Sequence, residues 1–124
     1  MGTTANGDFC TKLAGENLSA SQYRFVTLAG DTVVRSTTAD KAYGILQNAP
    51  ASGEKALVKC FGESQLETTS GGGLVVNTLV APNATTGIGR LATTGDFVRG
   101  IITKATTSTT GLVTVRLFDS AIAL

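Results

Sequence analysis

Two stretches of this chain are near copies of each other. Tyr43 to Phe61 reads YGILQNAPASGEKALVKCF, and Val98 to Phe118 reads VRGIITKATTSTTGLVTVRLF. Gly44-Ile45-Leu46 aligns with Gly100-Ile101-Ile102, Ala49 with Ala105, and Ala56-Leu57-Val58-Lys59-Cys60-Phe61 with Val113-Thr114-Val115-Arg116-Leu117-Phe118. Each copy is a short apolar run, a turn rich in small and polar residues, and a run with apolar residues at every second place. Successive side chains of a strand point to opposite faces, so this is the pattern of a β-hairpin. Gly44 and Gly100 lie 56 positions apart, so two copies account for most of the 124 residues. Neither half is large enough to bury an adequate core alone. The sequence predicts two halves packed on each other, with Ala56, Val58, Val113 and Val115 in a shared core and Lys59 and Arg116 facing outward.

The rest of the chain fits an all-β fold: a small β-sandwich or partly open barrel built from two internal repeats, with an extended N-terminal arm. Twenty Thr and fifteen Gly favour strands and turns, because β-branched Thr loses rotamer freedom in a helix. Residues 1–15 show neither a helical nor an alternating period and have no evident counterpart in the second copy. They are expected to be a flexible arm, with Phe9 and Leu13 as apolar anchors for a partner. Residues 16–124 form a single β domain, with repeat halves at about 16–62 and 74–118. Tyr23 to Leu28 and Thr32 to Arg35 flank a Gly30-Asp31 hairpin turn. Gly62 to Gly73 is a connector with a short strand at Gln65 to Glu67 and a candidate hinge at Gly71 to Gly73. Leu74 to Val76 with Leu79-Val80, and then Ile88 to Leu91, read as further strands. Ser36 to Lys41 reads as a polar connector with room for one helical turn.

Most catalytic chemistry is excluded by composition. The chain has no histidine, which removes Ser-His-Asp and Cys-His pairs and every His-containing metal site. Gly62-Glu63-Ser64 resembles part of a nucleophile elbow without its second Gly or a base, and reads as a plain turn. Gly87-Ile88-Gly89-Arg90-Leu91-Ala92 fits only the loosest dinucleotide fingerprint and also reads as a turn. The chain is expected to be no enzyme and to hold no cofactor or metal. Ten basic and nine acidic residues are dispersed, so no basic stripe points to nucleic acid, and neither a secretory signal nor a membrane helix is read. Cys10 and Cys60 are expected to remain thiols in a reducing compartment, with Cys60, which aligns with Leu117, as a small core residue.

The two-copy layout resembles the small decoration, or cement, proteins of tailed-bacteriophage heads. The residues that carry the resemblance are Tyr43-Gly44-Ile45-Leu46-Gln47-Asn48-Ala49-Pro50-Ala51-Ser52-Gly53 and Arg99-Gly100-Ile101-Ile102, within a similarity spanning residues 16–118. It implies a non-enzymatic protein, made in the host cytoplasm, that forms homotrimers on the outer capsid surface and clamps the major capsid protein. Phe9 and Leu13 would then be capsid-binding residues. A sugar-binding or host-attachment module, or a tail or neck subunit, is the alternative, although the chain has no Trp and only two Tyr from which to build a sugar platform.

Overall fold

The computed structural model describes residues 9–36, 42–68, 75–83, 86–93, 98–105 and 111–118. They form ten strands: β1 (Phe9–Ala14), β2 (Phe25–Ala29), β3 (Thr32–Arg35), β4 (Gly44–Leu46), β5 (Lys55–Lys59), β6 (Gly62–Thr68), β7 (Leu79–Pro82), β8 (Gly89–Leu91), β9 (Gly100–Lys104) and β10 (Gly111–Leu117). The fold is all-β. The strands close into two five-stranded barrels, β1-β3-β2-β4-β5 and β6-β8-β7-β9-β10. The Gly30-Asp31 turn joins β2 to β3 as expected, with Gly30 at φ +65° and Ala29 opposite Thr32.

The barrels share one topology. In each, the first strand runs parallel to the third (β1 with β3, β6 with β8) and antiparallel to the fifth, and the other neighbours are antiparallel. The equivalence extends to single residues. Gly44 opposes Val26 as Gly100 opposes Val80. Ile45 and Leu46 oppose Lys59 and Val58 as Ile101 and Ile102 oppose Arg116 and Val115. Cys10 opposes Val58 as Ser64 opposes Val115. Even the turn ahead of the second strand repeats: the N–H groups of Tyr23 and Asn77 donate to the carbonyls of Leu46 and Ile102, and both residues have positive φ, 65° and 74°.

This corrects the expected N-terminal arm. Residues 9–14 are the first strand of the first barrel, and their counterpart is β6, Gly62–Thr68; residues 1–8 lie outside the described residues. The alternation of β1 is inverted in chemistry: Phe9, Thr11 and Leu13 face out, while Cys10, Lys12 and Ala14 face in. An apolar-in reading therefore misses the strand. Other expectations also shift. The Gly62-Glu63-Ser64 segment is strand, not turn. Val75 and Val76 lie in the turn before β7 instead of on a strand. The Gly71–Gly73 hinge and the helical turn at 37–41 fall outside the described residues.

The single shared core is replaced by two. Ala14, Leu18, Val26, Val33, Leu46, Ala56, Val58 and Cys60 fill the first barrel. Leu66, Val80, Ile102, Val113, Val115 and Leu117 fill the second, together with Phe25, Ala42 and Ile45 from the first. The start of β2 and all of β4 are thus buried on both faces: Val26 and Leu46 belong to the core of their own barrel, Phe25 and Ile45 to that of its neighbour. The joint between barrels is also polar. Tyr23 O accepts from Glu67 N–H, Gly87 O accepts from Phe25 N–H, Arg24 pairs with Glu67 at 2.9 Å, and Gln47 Nε2 donates to Ser64 Oγ. Arg99, 3 % exposed, reaches from the second barrel to donate to the carbonyls of Ala42, Tyr43 and Cys60.

Two consequences are measurable in denaturant melts. Val58→Ala and Val115→Ala should each cost about 1–3 kcal/mol, from lost apolar burial and the cavity left behind. A Cβ at Gly44 would overlap Lys59 O, whereas one at Gly100 would lie 3.1 Å from the equivalent Arg116 O. Overpacking against backbone costs about 1–3 kcal/mol or more, so Gly44→Ala should destabilise clearly more than Gly100→Ala.

Candidate docking surface

The sequence singled out Phe9 and Leu13, and the structure places both on the outer face of β1, exposed to solvent. The antiparallel register sets Phe9 against Lys59, Thr11 against Leu57 and Leu13 against Lys55. The outer face of the β1–β5 pair therefore carries three exposed apolar side chains, Phe9, Leu57 and Leu13, alternating with Lys and Thr. Phe61, just beyond β5, is half exposed as well. Apolar side chains clustered on a surface and rimmed by polar groups make this face a candidate docking surface.

Lys59 does not face freely outward as expected. Its residue is buried, and its Nζ lies 4.7 Å from the centroid of the Phe9 ring, where the negative face of the aromatic attracts the cation. Burial pulls the pKa of Lys59 below its usual 10.5, and the nearby Glu63 carboxylate opposes part of that shift.

Beside this face, an open cavity of about 340 Å³ is lined by Cys10, Leu28, Tyr43, Cys60, Phe61 and Arg99, among others. Its walls are mostly apolar, and the Arg99 guanidinium sits 6.0 Å from the Phe61 ring. The cavity also brings the two cysteines together. Instead of the expected thiols, Cys10 and Cys60 form a disulfide. The β1–β5 register, with Cys10 opposite Val58, leaves Cys60 two residues further along, and the Cα atoms stand 6.2 Å apart, inside the span a disulfide can bridge. Cys60 is nonetheless buried in the core, as its alignment with Leu117 implies.

Arg99 was missed from sequence. The signal was present in the repeat, where Arg99 stands at the position of Tyr43, a cation where the first copy has a neutral ring. Only the docking of the barrels supplies the three carbonyls that make it useful.

No protein-family profile matches the chain, and no curated protein sequence matches it. Among solved structures, the fold is similar to that of the head fiber gp8.5 N base of bacteriophage phi29, with a TM-score of 0.63 and 15 % sequence identity over 94 % of this chain and 97 % of that one.

The Lys59 environment sets a direction for pH dependence. In the unfolded chain the amine binds its proton below about 10.5, whereas in the fold it releases the proton at lower pH. The unfolded state therefore holds more protons between the two values, and stability contributed by this group rises with pH across that interval. Relative to Lys59→Met, the wild type should gain stability as pH rises from about 8 toward 10.5, read from urea melts at both ends. A pH-independent difference would show that the ammonium is fully solvated.

Proposed function

We propose that this chain is a non-enzymatic structural subunit of a tailed-bacteriophage virion. In this reading it attaches to the outer surface of the assembled head, contacts the major capsid protein and assembles as a homotrimer of the decoration type. The observation that carries the reading is the likeness of nearly the whole two-barrel fold to the base of a phage head fiber. The exposed Phe9, Leu57 and Leu13 support it, since a subunit that acts by binding needs a surface that gains from being covered. Such a protein works by linkage: a ligand that binds the assembled shell and not its separated parts stabilises the shell by its binding free energy. Several copies held together multiply that effect by raising the effective concentration of each contact.

Co-sedimentation with head particles lacking the protein tests the proposal. The wild type should pellet with particles, and Phe9→Ser combined with Leu57→Ser should weaken attachment by about tenfold or more, because removing two apolar contacts costs at least about 1.4 kcal/mol. The melting temperature should fall only modestly, because both side chains are largely solvent-facing and the Phe9 contact to Lys59 is worth only about 0.5–1 kcal/mol. Failure of the wild type to bind particles, or glycan binding in its place, would overturn the reading.

A further inference from the structure

The two barrels are equivalent in topology and unequal in what covers them. Among the described residues of the second barrel, β8 meets β6 at Thr68 alone, so the parallel closure leaves most of that edge of β6 without a described strand neighbour. The first barrel fills the opening. Tyr23 O accepts from Glu67 N–H, Gln47 reaches Ser64, and the Phe25–Ile45 pair inserts into the core beside Leu66. In the first barrel β3 meets β1 only at Leu13 and Ala14. Among the described residues, residues 9–12 have a strand neighbour on the β5 side alone, and an open cavity lies beside Cys10 and Leu28.

Burial follows this difference position by position. Leu28, which opposes Val33 as Pro82 opposes Gly89, is 46 % exposed where Pro82 is fully buried. Leu13, equivalent to Glu67 at the joint, is 51 % exposed. The surface that does the covering is unequal too. Phe25 and Ile45 are fully buried, whereas their equivalents Leu79 and Ile101, paired in the same way, are only half-buried. Ser21, whose carbonyl accepts from Arg24 N–H as that of Val75 accepts from Thr78 N–H, is 2 % exposed; Val75 is 60 % exposed. Among the described residues the chain thus has one open slot and one uncovered insert, and the used pair between its barrels is the template for joining them.

We propose that a second copy of this chain fills the slot: Val75, Leu79 and Ile101 of one copy dock on the β1 edge, Leu13 and Leu28 of the next. The contact is head to tail, between two different patches, and so can close a ring or continue as a filament according to the rotation between copies. It is smaller than the contact within the chain. The connection from β7 to β8, which carries the Gly87 carbonyl that Phe25 uses, is longer than its counterpart in the first barrel, the two-residue Gly30-Asp31 turn. The inference rests on the reading of the chain as an assembling virion subunit and assigns the surfaces through which it assembles.

Complementation separates this geometry from any other. Val75→Asp disables the insert and Leu28→Asp disables the slot; both side chains are exposed, and circular dichroism melts should confirm intact folding. Sedimentation of the full chain should show an oligomer for the wild type, a monomer for each variant alone, and a one-to-one heterodimer when the two are mixed, because each supplies the patch the other lacks. As a check in the unaltered slot, p-benzoylphenylalanine at position 75 should cross-link to residues 9–14 or 28 of another copy. A wild type that stays monomeric up to about 1 mM, the range of the weakest specific contacts, variants that fail to pair on mixing, or cross-links mapping elsewhere would each overturn the proposal. Particle binding by a monomeric wild type would overturn it while leaving the virion role standing, and an oligomer that ignores particles would do the reverse.

Discussion

A five-stranded barrel closed by a parallel contact one or two residues long does not seal itself. Antiparallel neighbours lie alongside each other over their full length, but β1 and β3 share two register positions and β6 and β8 share one. The opening exposes both a strand edge and the apolar interior behind it, and an unpaired edge next to uncovered apolar surface is unfavourable in water. The second barrel depends on the first to remedy this. Phe25 and Ile45 supply the missing wall, and the Arg99 fork binds the three carbonyls that hold the wall in place. Stability of the second barrel is therefore coupled to folding of the first, while the first keeps a core made wholly of its own residues.

Much of this architecture is legible in the amino-acid sequence because the repeated hairpin follows simple physical rules. Gly44 and Gly100 sit where the neighbouring strand's carbonyl leaves little or no room for a Cβ, and the inward residues of β5 and β10 are apolar at every second place. The first strand of each barrel is harder to read. In β1 the larger apolar side chains, Phe9 and Leu13, point to solvent while Lys12 points inward, so hydrophobic alternation gives the wrong face. In β6 the inward residues are Ser64, Leu66 and Thr68, and one leucine among two hydroxyls is a weak signal. With both first strands obscured, a pair of complete barrels looks like one domain preceded by an arm.

The candidate surface was legible in part. Apolar residues in a polar segment need a reason to be there, which points to Phe9 and Leu13 from the sequence, and both are exposed together with Leu57. Their setting on a paired strand, the disulfide beneath them and the cavity at their side all depend on the β1–β5 register, a long-range contact that local patterns do not encode. Lys59 shows the same limit: its alternation is outward, yet the Phe9 ring from the other strand covers it.

The Cys10–Cys60 bridge also changes how the molecule bears a load. Tension applied to the chain ahead of residue 10 would ordinarily peel β1 from β5 one hydrogen-bonded pair at a time. The covalent link instead passes the pull directly to Cys60, whose carbonyl is gripped by Arg99 of the second barrel. Force entering at the N-terminal strand thus bypasses the 50-residue span between the cysteines and arrives at the junction of the barrels. The residues between the cysteines are shielded from that pull, which continues along the chain past Cys60 into β6 of the second barrel.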